Sequence, residues 1–267
     1  MRAFLFGILT LAACASNGAN TGGTGGTGGE GGGAGGGDGG AGSGSSDNSA
    51  DIEHDYDDVA ASLGVLASVP ELTAMTDSVV LSYGGMPNGL SASGAGTVAG
   101  SRDGISFQYK YHCHDSSDVM IACGAAADHG HTYATISGNL SANGISIANL
   151  EHSSDWTIKN LQVQKPTIDR VGTLAFSSSV SADGSMTDFM INGTWTKVHF
   201  AASPSMPSDG TVALAINGHR NRAAATVPVR EFTMNATLTF ANGGATIALD
   251  TTHQYSVDLT TGATTRL

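Results

Sequence analysis

Residues 105–113 read ISFQYKYHC, and this stretch decides the fold class. Apolar and polar residues alternate along it without a break. Residues 232–240, FTMNATLTF, alternate in the same way, and residues 174–180 do so more weakly. Because neighbouring side chains of a strand point to opposite faces of a sheet, the alternation predicts strands with one buried and one wet face. Such strands are typical of antiparallel sheets.

Seven Asn-Gly or Asp-Gly pairs punctuate the same region, and such pairs tolerate the positive φ angles of tight hairpins. They are Asp103-Gly104, Asn143-Gly144, Asp183-Gly184, Asn192-Gly193, Asp209-Gly210, Asn217-Gly218 and Asn242-Gly243. We therefore expect residues 79–267 to form one mainly β domain, built as an antiparallel meander. The sequence leaves open whether the meander forms a sandwich, a barrel or a curled sheet.

An amphipathic helix over residues 51–66, within a helical segment 49–78, is predicted directly before the β domain. Its apolar residues follow spacings of 4, 3, 4 and 3 along one face. They are Ile52, Tyr56, Val59, Leu63 and Leu66. Ser49 is a candidate N-cap, and Pro70 is expected to end the helix or to start a second short turn. The helix is expected to pack on the dry face of the sheet.

A group of acidic residues lies near the start of this helix. They are Glu53, Asp55, Asp57 and Asp58. The spacing lacks the glycine and the closing glutamate of a calcium loop. We therefore expect these carboxylates to face water in the first turns of the helix, where they suit its positive end.

The N-terminus carries a signal of a different kind. Met1 and Arg2 precede a short apolar run that ends in Leu11-Ala12-Ala13-Cys14. The run is about nine residues, against the about 20 that span a bilayer, so it is predicted to be a signal-peptide core. The motif resembles the bacterial lipobox, which implies that residues 1–13 are removed and that Cys14 is lipidated. Ala15, at the place where Asp often means inner-membrane retention in this class, favours the outer membrane.

Residues 14–48 comprise the lipidated cysteine and a glycine-dominated stretch that is predicted to be a disordered tether. A coil of this composition has a root-mean-square span of roughly 30–35 Å. The predicted location is therefore the cell envelope, with the membrane as a partner through the N-terminal lipid.

Two cysteines remain in the β domain, and in an exported chain a Cys113–Cys123 disulfide is the expected state. Two His-x-His pairs flank it, His112 with His114 and His129 with His131. Residues two apart in a strand point the same way, so each pair can offer two imidazoles to zinc or copper. Lys110 shares the face of the first pair and would repel a cation, and the two pairs need not meet in space. Solvated histidines beside a closed loop are therefore favoured over a metal site, and no other cofactor is predicted.

The functional prediction rests on what the chain lacks as well as on its anchor. No nucleophile elbow, zinc-protease or Walker motif is found in the sequence. Lys and Arg number 11 against 23 Asp and Glu, a net charge of −12, which argues against nucleic acid as a partner. The prediction is a non-enzymatic binding or structural module at the envelope, whose partner is an envelope protein, a glycan or a small hydrophobic ligand.

Two alternatives stay open. One is a carrier of lipid or another hydrophobic ligand, with Phe107, Tyr109, Phe232 and Phe240 lining a cavity under the helix. The other is a metal-dependent enzyme that uses the four histidines of the two His-x-His pairs.

Overall fold

A computed structural model describes residues 46–163, 165–182, 184–200 and 206–267. The predictions for the signal peptide, for Cys14 and for the tether up to residue 45 lie outside the described residues. The tether prediction ran to residue 48, but the structure already has helix from Ser46.

One continuous helix opens the described chain, in three parts. The parts are α1, Ser46–Leu66, a π-helical turn, Ala67–Glu71, and α2, Leu72–Ser82. Of the two outcomes predicted for Pro70, the end of the helix is wrong, because a further helical part follows it. Helix α1 begins at Ser46, so the prediction that Ser49 is the N-cap is also wrong, and the helix runs past residue 78. Pro70 lies in the π-helical turn, where the Leu72 N–H donates to the Ala67 carbonyl five residues back. This wider turn accommodates a residue that has no N–H of its own.

In the described part of the chain, thirteen strands form one antiparallel sheet that does not close on itself. The strands are β1 Leu90–Gly94, β2 Thr97–Arg102, β3 Ile105–His114, β4 Met120–Ile121, β5 His129–Ala142, β6 Ile145–Lys159, β7 Thr167–Val180, β8 Ser185–Phe200, β9 Pro207–Asn221, β10 Val229–Ala241, β11 Gly244–Leu249, β12 His253–Val257 and β13 Thr264–Arg266. Each strand pairs with the next along the chain, except that β5 pairs with β3 and the short β4 pairs with the end of β3. The prediction of a mainly β, antiparallel meander with a helix packed on it is confirmed.

The helix fills the inside of the curled sheet. From Val59 to Ser82 nearly every helical side chain is buried, and the inward residues of the long strands pack around it. Residues 49–82 are long and apolar enough to cross a bilayer by length and composition alone, since they contain an 18-residue window with a mean hydropathy of 1.4. Because 78% of that apolar window is buried inside the domain, packing against the sheet accounts for its composition.

Charged groups also join the helix to the sheet, which corrects the prediction that the acidic residues of α1 all face water. Asp55 is 1% exposed and Asp58 is 8% exposed. Asp55 lies 3.0 Å from Arg220 Nε and 2.8 Å from Arg230 Nη1, and it accepts a hydrogen bond from Arg222. A carboxylate leaves water at such a site only when cations compensate it, so these arginines are part of the core.

A second buried ion pair lies at the π-helical turn. Arg170 pairs with Glu71, and its guanidinium lies 3.5 Å from the ring centroid of Trp195 and 4.5 Å from that of Trp156. His152 accepts a hydrogen bond from Arg170, and its other ring nitrogen is 3.3 Å from Glu71. Burial, opposed by Glu71, lowers the pKa of His152 to about 4, so this imidazole is neutral at pH 7.

Three of the seven predicted turn pairs lie inside strands instead. They are Asn192-Gly193 in β8, and Asp209-Gly210 and Asn217-Gly218 in β9. A Cβ at Gly193 would overlap the ring of Trp195, and a Cβ at Gly218 would overlap the ring of Phe232. These two glycines make room for aromatic rings and do not turn the chain.

Three other pairs form hairpin turns with positive φ at both residues. They are Asp103-Gly104, Asn143-Gly144 and Asn242-Gly243. The seventh pair includes Asp183, which lies outside the described residues.

Candidate metal site

The two His-x-His pairs meet on the outer face of the sheet. His112 on β3 is the register partner of His131 on β5, and His114 is the partner of His129. Directly opposite residues of antiparallel strands share a face, so all four imidazoles lie side by side. The expectation that the pairs need not meet is therefore corrected, and we refer to His112, His114, His129 and His131 as the histidine cluster.

The spacing of the four rings suits a single ion. Ring centroids are 5.2 Å apart for His112–His131, His114–His129 and His112–His114, and 5.7 Å apart for His114–His131 and His129–His131. A tetrahedral ion with nitrogens about 2 Å away holds imidazole centroids roughly 5 Å apart. Five of the six ring pairs among these histidines therefore have about the separation that one tetrahedral ion requires.

A carboxylate joins the cluster from the loop after β3. The Asp118 carboxylate lies 3.1 Å from His114 Nδ1 and 3.4 Å from His129 Nε2, and one ligand atom from each of these residues falls within 4.8 Å of the others. Sequence reasoning missed Asp118. Asp115 Oδ1 accepts backbone hydrogen bonds from Ser117 and Val119 and folds the loop back over the histidines.

The disulfide supports this site from behind. Cys113, between two cluster histidines in sequence, points inward, is 1% exposed and is bonded to Cys123, with Cα atoms 5.0 Å apart. Gly130 lies opposite Cys113, and a Cβ there would come within 2.6 Å of Ser82 Oγ. Gly130 is therefore required between His129 and His131 because the end of the helix packs directly beneath the strand.

The protonation state of His131 favours metal binding. Burial, followed by the neighbouring His112 and His129, lowers the pKa of His131, which keeps it in the neutral form that binds metals. His114 Nε2 is buried and has no hydrogen-bond partner among the described residues. A buried ring nitrogen without a partner costs free energy that a bound ion would offset.

The sequence predicts that the positive charge of Lys110 would repel a cation at this site. Lys110 lies two residues before His112, on the side away from His114, and its register partner is Tyr133. Asp118 and Asp128 lie on the opposite side, and the Asp128 carboxylate is 3.3 Å from His129 Nδ1. The carboxylates therefore lie at the His114–His129 end of the cluster, and Lys110 lies beyond its other end in the register.

The cluster adjoins a trough on the outer face of the sheet. Two grooves of about 750 and 420 Å³ share Asp155, Val171 and Thr194, and His131 lines the smaller one. One register row of this trough crosses strands β5 to β8 and consists of Tyr133, Asp155, Val171 and Thr194. A ligand in the trough would lie directly beside the histidine cluster.

The cavity under the helix is small. Its volume is about 40 Å³, and Phe240 is among the mainly apolar residues that line it. Phe107, Tyr109 and Phe232 are buried in the packed core. Ligand pockets measure about 300–1,000 Å³, so the carrier alternative gains no support from this space.

Comparison with protein-family models, with curated proteins and with solved structures gives no match to this chain.

Proposed function

We propose that the protein is a lipid-anchored module of the cell envelope whose β domain binds a late first-row transition-metal ion at the histidine cluster. The observation that carries the metal proposal is the in-register pairing of His112 with His131 and of His114 with His129. The lipobox resemblance at Cys14 supports the anchor.

The donor set narrows the class of ion. Neutral imidazoles suit zinc, copper and nickel, whereas magnesium and calcium require oxygen ligands. The net charge of −12 favours cations over anions near the domain. The site stands on two long strands and a disulfide-closed loop, so binding requires little ordering of the chain.

A metal titration of the mature chain in detergent tests this proposal. Isothermal titration calorimetry with Zn²⁺ and with Cu²⁺ should detect one site per chain. The double substitution His112→Ala with His131→Ala should weaken binding by about 100-fold or more, since two of four imidazoles are lost.

The chain offers a matched control in two histidines outside the cluster. His199 and His219 are each paired with a carboxylate, Asp209 and Glu231, at the surface. The double substitution His199→Ala with His219→Ala removes as many imidazoles but should leave the affinity unchanged. Equal losses in the two double variants, or no uptake by the parent chain, would refute the proposed function.

The trough beside His131 favours a metal-dependent enzyme as a second candidate function. An ion at the cluster would activate a water molecule next to a ligand that lies in the trough along the register row of Asp155. Hydrolysis of chromogenic ester, amide or glycoside substrates by the metal-loaded chain, abolished by the cluster substitutions, would distinguish an enzyme from a binding module.

A further inference from the structure

We infer that the ion is copper, bound as Cu(I) with the thioether of Met120 as an additional ligand. This inference rests on the proposed metal-binding function and names the ion for that same site.

The first argument is the sheet register. Strand β2 pairs with β3 only as far as Lys110. Strand β4 pairs with the end of β3 on the same side, and it places Met120 opposite His114. His114 in turn lies opposite His129. Directly opposite residues lie on one face with Cβ atoms about 4.5–5.5 Å apart, so Met120, His114 and His129 form a single row.

The second argument is exposure. Met120 is 66% exposed, and a large apolar side chain in water contributes little to folding. Its three rotatable bonds allow the sulfur to swing toward the cluster without moving the backbone. The Cys113–Cys123 disulfide closes the loop that carries Met120 and keeps it beside His114.

The third argument is ligand chemistry. The imidazoles and the Asp118 carboxylate suit zinc and copper alike, whereas a soft thioether sulfur selects Cu(I). Both cysteines next to the cluster are consumed in the disulfide and offer no thiolate. Met120 is therefore the soft ligand that the register places next to these imidazoles.

Competition with a coloured Cu(I) chelator tests the inference, with ascorbate as the reductant so that the disulfide stays intact. Met120→Leu keeps the size and apolar character of the side chain but removes the sulfur. It should weaken Cu(I) binding by at least about 10-fold, and Zn²⁺ affinity should stay within about twofold of the parent value. Copper K-edge absorption of the parent should show a sulfur neighbour that the variant lacks.

Met190→Leu is the matched control. Met190 is 61% exposed on β8, four strands from β3 and about 19 Å away along the sheet. This variant should bind both ions as the parent does.

Equal Cu(I) affinity in the parent and Met120→Leu, with no sulfur neighbour, would overturn the copper inference and leave the metal-binding function standing. A parent chain that takes up neither Cu(I) nor Zn²⁺ would overturn both.

Discussion

Acidification should destabilise the domain through one buried imidazole, that of His152. Its pKa is lowered from an ordinary 6.5 to about 4, first by burial. Between these values the unfolded chain binds a proton that the folded chain does not. The contribution of neutral His152 to the free energy of unfolding is therefore complete above pH 6.5 and is lost as the pH falls toward 4. A shift of about 2.5 pH units at 1.36 kcal/mol per unit corresponds to about 3 kcal/mol.

The assay is urea unfolding of the parent and of His152→Gln at several pH values from 7 to 4. All other ionisable groups are common to the two chains, so the difference between the two pH profiles isolates His152. The variant also loses the contacts of His152 to Arg170 and Glu71. This loss lowers its free energy of unfolding equally at every pH, so it does not affect the comparison of the two slopes. The parent should lose up to about 3 kcal/mol more than the variant over this range. Parallel profiles would show that His152 is not held neutral by its surroundings.

The remaining predictions concern packing, the second buried ion pair and the anchor. Gly193→Ala should destabilise the domain by about 1–3 kcal/mol in urea unfolding, because its methyl overlaps the Trp195 ring, and an unchanged midpoint would contradict this packing. Arg170→Met should cost about 3–5 kcal/mol by leaving Glu71 buried without a cation, and adding Glu71→Leu should recover a large part of that loss. Cys14→Ser should move the mature chain from the detergent phase to the aqueous phase in a partition assay, and unchanged partitioning would argue against lipidation.

Three of the strands could be predicted individually because the alternation of apolar and polar residues is local to each. In residues 105–113 the alternation is local, and it identifies the inward face correctly, from Ile105 to Cys113. The turn signal is less reliable, because glycine serves two purposes. At Asn143-Gly144 it allows a positive φ, whereas Gly218 in β9 makes room for a ring from the next strand. Only the three-dimensional packing separates these cases.

The charged core could not be predicted from the helix sequence alone. An aspartate near the start of a helix, such as Asp55, is normally exposed. Its partners Arg220 and Arg230 lie more than 160 residues further along the chain. The histidine cluster could not be predicted for the same reason, because it depends on residues from two different strands. Each His-x-His pair is visible in the sequence, but their convergence depends on the register between β3 and β5.

The position of the helix at the beginning of the domain has a consequence for biogenesis. The helix is translated before every strand of the sheet. Glu71 precedes Arg170 by 99 residues, and Asp55 precedes Arg222 by 167 residues and Arg230 by 175 residues. Until those arginines have been translated, packing the helix would bury bare carboxylates. A chain cut short before β7 lacks the arginines that pair with both carboxylates, and we expect it to stay unfolded and open to proteases.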